Sequence, residues 1–485
     1  MKAVIAGYFF LAAAAFADPL LTSWSTSQSS KYARVYKTTS DRTSGITATT
    51  WGSGNTTQAS PAYSDVQEVS YSNTWVYVRS TGLASHVMGP WLNPMGGQFM
   101  FWPTNRKDIR RFPRIPTVPT TKDTTAAGYS GIWVNGVALF NALDGYAWDG
   151  TQYVNTQHTN LSYYWFRNAP VAESFNFDSA LGHQPPTAVY HTHQTPNGLR
   201  YQLGDHISYN SSTKLYSEST SAVAKHSPIL GWAHDGYPIY GPYGYGTALD
   251  ANSTVRRMVS GYVKRDGSSG TDSVSSNLTT IPAWYARFRQ KLGSSYSTTA
   301  STARPSVNST YPLGTFAQDF AYLGDLGVTQ GTTFDLDQYN GRYCVTPEYP
   351  AGTYAYFVAL DSSNAATYPY VLGFEFYGHA SGGSVNSITE SVKTFASTGP
   401  NTVEVASGPS VNAANGNVML TWTSVEGGTY KIEASGDLNN WATLTTTQGA
   451  AANAIQTSYT ETSAQVSNPL RYYRVTRTAL ATYDQ

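Results

Sequence analysis

The stretch Thr74-Trp75-Val76-Tyr77-Val78-Arg79-Ser80 alternates side chains along a run of β-branched and aromatic residues. That period of two belongs to a strand, whose successive side chains point to opposite faces of a sheet. Similar short segments recur from Val66 onward, and the chain as a whole supports the same reading. Aromatic residues make up 14% of it, with 37 tyrosines and 12 tryptophans. With its abundant Thr, Ser and Gly, such a composition favours strands and turns. One helix is expected near Pro282–Leu292, opened by Pro282 and stopped by Gly293. Arg106–Pro119, interrupted by Pro113, Pro116 and Pro119, reads as a loop, with Arg110, Arg111 and Arg114 solvated or ion-paired.

At 485 residues the chain is long enough for more than one domain. Met1-Lys2 and the apolar run Ala3–Phe16 read as a secretory signal peptide, cleaved after Ala17 in Ala15-Phe16-Ala17. No later stretch is apolar enough to span a bilayer, so a secreted, periplasmic or cell-surface protein is expected. Charged residues are only 12% and balance to a net charge of +0, so no basic field points to nucleic acid. Cys344 stands alone and reads as a small core residue. Six Asn-x-Ser/Thr sequons (Asn55, Asn160, Asn210, Asn252, Asn277, Asn308) matter only in a eukaryotic secretory pathway.

The composition divides the mature chain. Residues 18–60 read as a Ser/Thr-rich leader or edge strands, 61–380 as the main domain and 381–412 as a linker. From 413 to 485, evenly spaced strands at Val418–Thr423, Thr429–Ala434, Trp441–Thr446, Thr457–Thr460 and Leu470–Arg477 point to a small β-sandwich.

Residues 183–193, His-Gln-Pro-Pro-Thr-Ala-Val-Tyr-His-Thr-His, hold three of the nine histidines. On an extended segment His191 and His193 share a face, and the Pro185-Pro186 break can fold His183 back over it. Three neutral imidazoles converging on one point hold zinc or copper, and their nitrogens then come within about 3–4 Å of one another. The competing reading is a pair of hydrogen-bonded structural histidines. In His226–Tyr245, His226 and His234 are possible further ligands, and Asp235 a carboxylate that could orient one. Asp335, Asp337 and Asn340 place oxygens at alternate positions but do not match an EF-hand, so a polar turn is preferred to a calcium loop. Glu348 is a second candidate carboxylate and Tyr190 a candidate flanking residue. Hydrolase elbows, HExxH, phosphate loops and dinucleotide fingerprints are absent.

Tyr190-His191-Thr192-His193, preceded by Gly182-His183, resembles the motif that names the YHYH-domain family of secreted bacterial proteins. Gly131–Asp144, His226–Tyr245, Asn340–Phe357 and Tyr368–Gly373 extend the resemblance over most of residues 60–380. Thr192 departs from the second Tyr of the motif, at a position that a strand turns away from the His pair. The tail, with Leu420-Thr421-Trp422 and Leu438-Asn439-Asn440-Trp441, resembles fibronectin-type-III-like modules. The expected fold is therefore mainly β: a large YHYH-type domain followed by a small β-sandwich. Three functions remain open: an exported copper or zinc protein, possessing or lacking enzymatic activity; a site for metal capture alone; and a non-enzymatic surface or adhesion protein. In the last, aromatic walls bind cell-surface polysaccharide and the histidines are structural.

Overall fold

A computed structural model describes residues 18–25, 32–54, 56–396, 405–424, 428–451, 456–462 and 470–479. The expected signal peptide and Asn55 lie outside the described residues. The fold is mainly β, built from many antiparallel sheets.

The centre is a seven-stranded mixed sheet. From one edge its strands are His191–Thr192, Ala138–Phe140, Tyr129–Trp133, Ile229–Ala233, Pro238–Tyr240, Thr353–Phe357 and Gly341–Cys344. Two hairpins form its middle. In each the chain reverses at a glycine in the left-handed region, Gly136 (φ +81°) and Gly236 (φ +84°), where a side chain would be strained. Asn135 and Asp235 fasten these turns, each side chain accepting a hydrogen bond from the backbone N–H two residues on. Both faces are covered, so the inner strands are buried on both sides, as in Ile229–Ala233. Cys344 is fully buried there as a free thiol.

A second sheet has five strands. Trp75–Ser80, inside the stretch that opened the sequence reading, lies at its centre between Val66–Tyr71 and Asp108–Pro113. The last of these corrects the expectation of a loop. Pro113 ends the strand, where a missing N–H costs no ladder bond. Arg110 is buried, its guanidinium 3.4 Å from the centre of the Tyr129 ring. The expected linker also contributes strands. Gly383–Ser384 and Lys393–Ala396 close the two edges of this sheet. Leu20, Leu21, Trp24, Val35 and Trp51, from the expected leader, belong to the main core. The expected helix forms at Ala283–Lys291.

Toward the C-terminus, two three-stranded antiparallel sheets (405–412, 417–423 and 456–461; 429–435, 442–449 and 472–479) surround a separate small core of Val418, Leu420, Trp422, Tyr430 and Ile432.

Candidate metal centre

Local register assembles the histidines. His191 opens the edge strand, and His193 follows two residues later on the same face. His183 arrives by an antiparallel bridge: its N–H donates to the His191 carbonyl (3.0 Å), and the His191 N–H donates back (2.8 Å). Such a pair places both side chains on one face, about 5.5 Å apart at Cα. One buried carboxylate fastens both arms of this loop. Asp178 Oδ1 accepts from the N–H groups of Ala180 (2.9 Å) and Gly182 (3.0 Å). Its Oδ2 accepts from the Gly89 N–H (2.9 Å) and the Tyr190 hydroxyl (2.8 Å). Residue 182 must be glycine here, because a Cβ would lie 2.3 Å from the Tyr190 hydroxyl.

All three imidazoles are buried, and each offers a nitrogen within 4.8 Å of the other two, a looser set than the ~3–4 Å expected of ligands already gathered on one ion. His191 Nδ1 is 3.0 Å from the Val189 carbonyl, and His193 Nδ1 is 2.6 Å from the Asn141 carbonyl. A carbonyl only accepts, so both Nδ1 atoms carry hydrogen and donate. In the neutral rings both Nε2 atoms are then bare, and they face each other at 3.0 Å. Two lone pairs at that distance need a cation, either a proton or a metal ion. Burial, reinforced by the charge of neighbouring imidazoles, holds His183 and His191 well below the usual imidazole range, so both favour the neutral, ligating form. Phe140 stacks on His191 (3.9 Å between ring centres) and Phe177 meets His183 edge-on (4.8 Å), which restricts both rings. A cleft of about 350 Å³ opens beside the site, lined in part by His191, His193, Phe140, Tyr129, Asp144 and Glu173.

Against known families, residues 110–369, more than half of the chain, match the family described as YHYH protein. The chain belongs to the YHYH family. No curated protein and no solved structure matches it. The four residues corresponding to the YHYH motif divide by alternation into two jobs. His191 and His193 face the site. Tyr190 faces the core, where its hydroxyl donates to Asp178 and meets His86 Nε2 at 3.2 Å. Thr192 also faces the core, its hydroxyl accepting from Trp133 Nε1 (2.8 Å). Tyr190 thus anchors the motif and does not flank the site.

The other sequence candidates lie apart from the YHYH histidines. Asp235 accepts from the Tyr356 hydroxyl (2.6 Å) and the Gly378 N–H (2.9 Å), and burial raises its pKa to about 6. It holds a turn together and orients no histidine of the site. Glu348 accepts from the Tyr240 hydroxyl (2.9 Å). His226 donates through Nδ1 to the Ser227 carbonyl (2.7 Å) and packs among Tyr240, Tyr245 and Phe357. His234 is buried near Phe112 and Phe376, and burial lowers its pKa to about 3. Neither histidine joins the cluster of three. Asp335 is taken up by Arg256, and Asp337 by the Tyr339 and Gly341 N–H groups and the Tyr354 hydroxyl, so this region is a polar turn.

Two acidic residues beside the site escaped the sequence reading. Glu173 follows the short helix Ala169–Ala172, and its Oε2 lies 3.1 Å from His193 Nε2 and 3.4 Å from His183 Nε2. Asp144 lines the cleft and pairs with Arg167. Burial raises its pKa to about 7, with Arg167 opposing and Glu173 reinforcing the shift. In sequence both stand among ordinary polar residues, and no spacing rule connects Glu173 to a histidine ten residues away.

Proposed function

We propose that this YHYH protein is an exported metal-binding protein that holds copper or zinc through His183, His191 and His193. The observation that carries the reading is the pair of facing, bare Nε2 atoms of His191 and His193, each fixed by an Nδ1–H bond to a backbone carbonyl. Hydrogen bonding at the far nitrogen is how proteins set the tautomer and aim of a ligating imidazole. An all-imidazole set without thiolate suits Zn²⁺ or Cu²⁺. The cleft gives small molecules access to the ion, and Asp144 offers a proton-transfer group at its wall. A metal-dependent reaction there would also need a coordination position left free for substrate or water.

The test is elemental analysis of the full-length protein purified from its native compartment. One equivalent of zinc or copper is expected. The double change His191→Ala/His193→Ala should abolish binding while the circular dichroism of the folded chain persists. Absence of stoichiometric metal, or metal that survives the double change, refutes the assignment.

An adhesion reading rests on a different feature, a surface of tyrosines around Lys122. Tyr354 and Tyr377 stack at 3.5 Å, Tyr237 and Tyr339 pack beside them, and the Lys122 ammonium sits 4.4 Å above the Tyr377 ring. Tyr354 is buried beneath, and the partly exposed rings of Tyr237, Tyr339 and Tyr377 can stack on sugar faces. A glycan array probed with the full-length protein and with Tyr377→Ala separates this reading from the first.

A further inference from the structure

From the geometry we infer that Glu173 is the fourth donor of the histidine site, giving a closed set of three nitrogens and one oxygen. This rests on the metal reading above and adds the residue that completes it. For zinc held at about 2.0–2.1 Å by four tetrahedral donors, neighbouring donors are ~3.3 Å apart. Three donor–donor contacts, His191 Nε2 to His193 Nε2 (3.0 Å), His193 Nε2 to Glu173 Oε2 (3.1 Å) and Glu173 Oε2 to His183 Nε2 (3.4 Å), fall near that spacing, while the imidazole nitrogens as a set spread to within 4.8 Å, so the donors must draw in around the ion when it binds. Glu173 Oε2 lies between His193 and His183, and His183 is joined to His191 by the backbone bridge.

The hydrogen-bond inventory supports the same assignment. Glu173 Oε2 and His183 Nε2 are both buried without a hydrogen-bond partner. Leaving polar atoms buried and unsatisfied is costly, and a cation between them removes the cost. On its other edge His183 has Asn176, whose amide nitrogen lies 3.5 Å from Nδ1 and whose Oδ1 is also unpartnered. Turning that amide over lets Oδ1 accept the Nδ1–H and leaves Nε2 bare, as in the other two rings. The carboxylate also supplies charge: three neutral imidazoles leave a divalent ion at +2, and Glu173 reduces this to +1 in a buried site. Four protein donors leave no standing position for water, which marks the site as one that retains its ion rather than activating a substrate on it.

The experiment titrates the metal-free full-length protein with ZnCl₂ against a competing chromophoric chelator. Glu173→Gln, nearly isosteric and unable to supply an anionic oxygen, is expected to weaken zinc binding by more than about 100-fold, beyond the ~10- to 100-fold loss of a residue that only orients a ligand. In the wild-type protein, zinc should shift a carboxylate stretch in the infrared difference spectrum. That shift should be missing from Glu173→Gln, whose fold is checked by circular dichroism, and retained in Asp144→Asn, which removes the other carboxylate of the cleft. If Glu173→Gln binds zinc like wild type, or zinc leaves the wild-type carboxylate bands unchanged, while His191→Ala/His193→Ala still abolishes binding, Glu173 is not a ligand and the three-histidine reading survives. If wild type binds neither Zn²⁺ nor Cu²⁺, the metal reading itself falls.

Discussion

Removing the Tyr190 hydroxyl separates an anchoring role from a chemical one. In Tyr190→Phe the ring stays in the core, but two hydrogen bonds disappear. Tyr190 donates to Asp178 at 2.8 Å, and because its own hydrogen is used there, it accepts from His86 Nε2–H at 3.2 Å. A hydrogen bond to a charged group is worth about 1.5–3 kcal/mol and one between neutral groups about 1 kcal/mol. The variant should therefore lose about 3 kcal/mol at pH 7.5. The loss should depend on pH, with a definite sign. Burial raises the Asp178 pKa from 3.8 to about 6, so the folded state holds this proton more tightly than the unfolded chain. Ionising Asp178 thus costs the wild-type fold roughly 3 kcal/mol as pH rises from about 4 to 6 and beyond. The Tyr190 hydroxyl offsets part of that cost, and only when the carboxylate is charged. Without it the penalty above pH 6 deepens, whereas at pH 5, with Asp178 mostly protonated, the variant should lose only about 2 kcal/mol. Urea unfolding at both pH values measures the two losses, and zinc titration of the same samples reads the site. A cost below about 0.5 kcal/mol at pH 7.5 would refute the anchoring argument. So would equal costs at both pH values, or a more than tenfold loss of zinc affinity in a variant of wild-type stability.

Two further substitutions probe the same principles elsewhere. His158 is buried among Phe166, Phe288 and Phe374, both ring nitrogens without a hydrogen-bond partner of normal geometry, and burial lowers its pKa from 6.5 to about 4. A depressed histidine pKa means stability is lost as pH falls through 6.5 toward 4, by roughly 3 kcal/mol. His158→Phe should remove that loss and raise stability by about 1–2 kcal/mol at neutral pH, since it deletes nitrogens that lack normal partners; denaturant melts at pH 7.5 and 5 check both, and a destabilised variant would contradict them. Gly182→Ala forces a Cβ to within 2.3 Å of the Tyr190 hydroxyl, so the loop before His183 must shift. Stability should fall by about 1–3 kcal/mol, and zinc affinity should fall with it, both measurable on one preparation.

The alternation of Trp75-Val-Tyr-Val-Arg-Ser80 was legible because each residue's face follows from its neighbours alone. The same local rule placed His191 and His193 side by side and turned Thr192 away. The strand at Asp108–Pro113 was not legible: its arginines and the prolines Pro113, Pro116 and Pro119 mark a loop by composition, and the partner strands Trp75–Ser80 and Gly383–Ser384, with Tyr129 covering Arg110, make it a strand. Glu348 and Asp235 were drawn in as polar residues of the right type, yet each is consumed by a tyrosine hydroxyl brought in by a distant strand or turn.

The division between what could and could not be read lies in how each donor reaches the site. His191 and His193 depend on strand geometry, which acts over two residues. His183 depends on a bridge across a seven-residue loop, which the Pro185-Pro186 break hinted at and Asp178 enforces. Glu173 depends on the course of the strand Trp165–Asn168, which pairs with Leu143–Trp148 and hands the chain to the helix that ends at Glu173. That dependence has a physical consequence. The three imidazoles are held by backbone carbonyls, neighbouring aromatic rings and the bridge itself, whereas among the described residues the Glu173 carboxylate is met by the His183 and His193 rings and by the charge of Asp144, with no hydrogen-bond donor fixing Oε2. A ligand restrained only by the ion it binds adapts most easily to the ion's size and preferred geometry. The rigid part of the site therefore sets where the metal sits, and Glu173 adjusts how tightly the sphere closes around it.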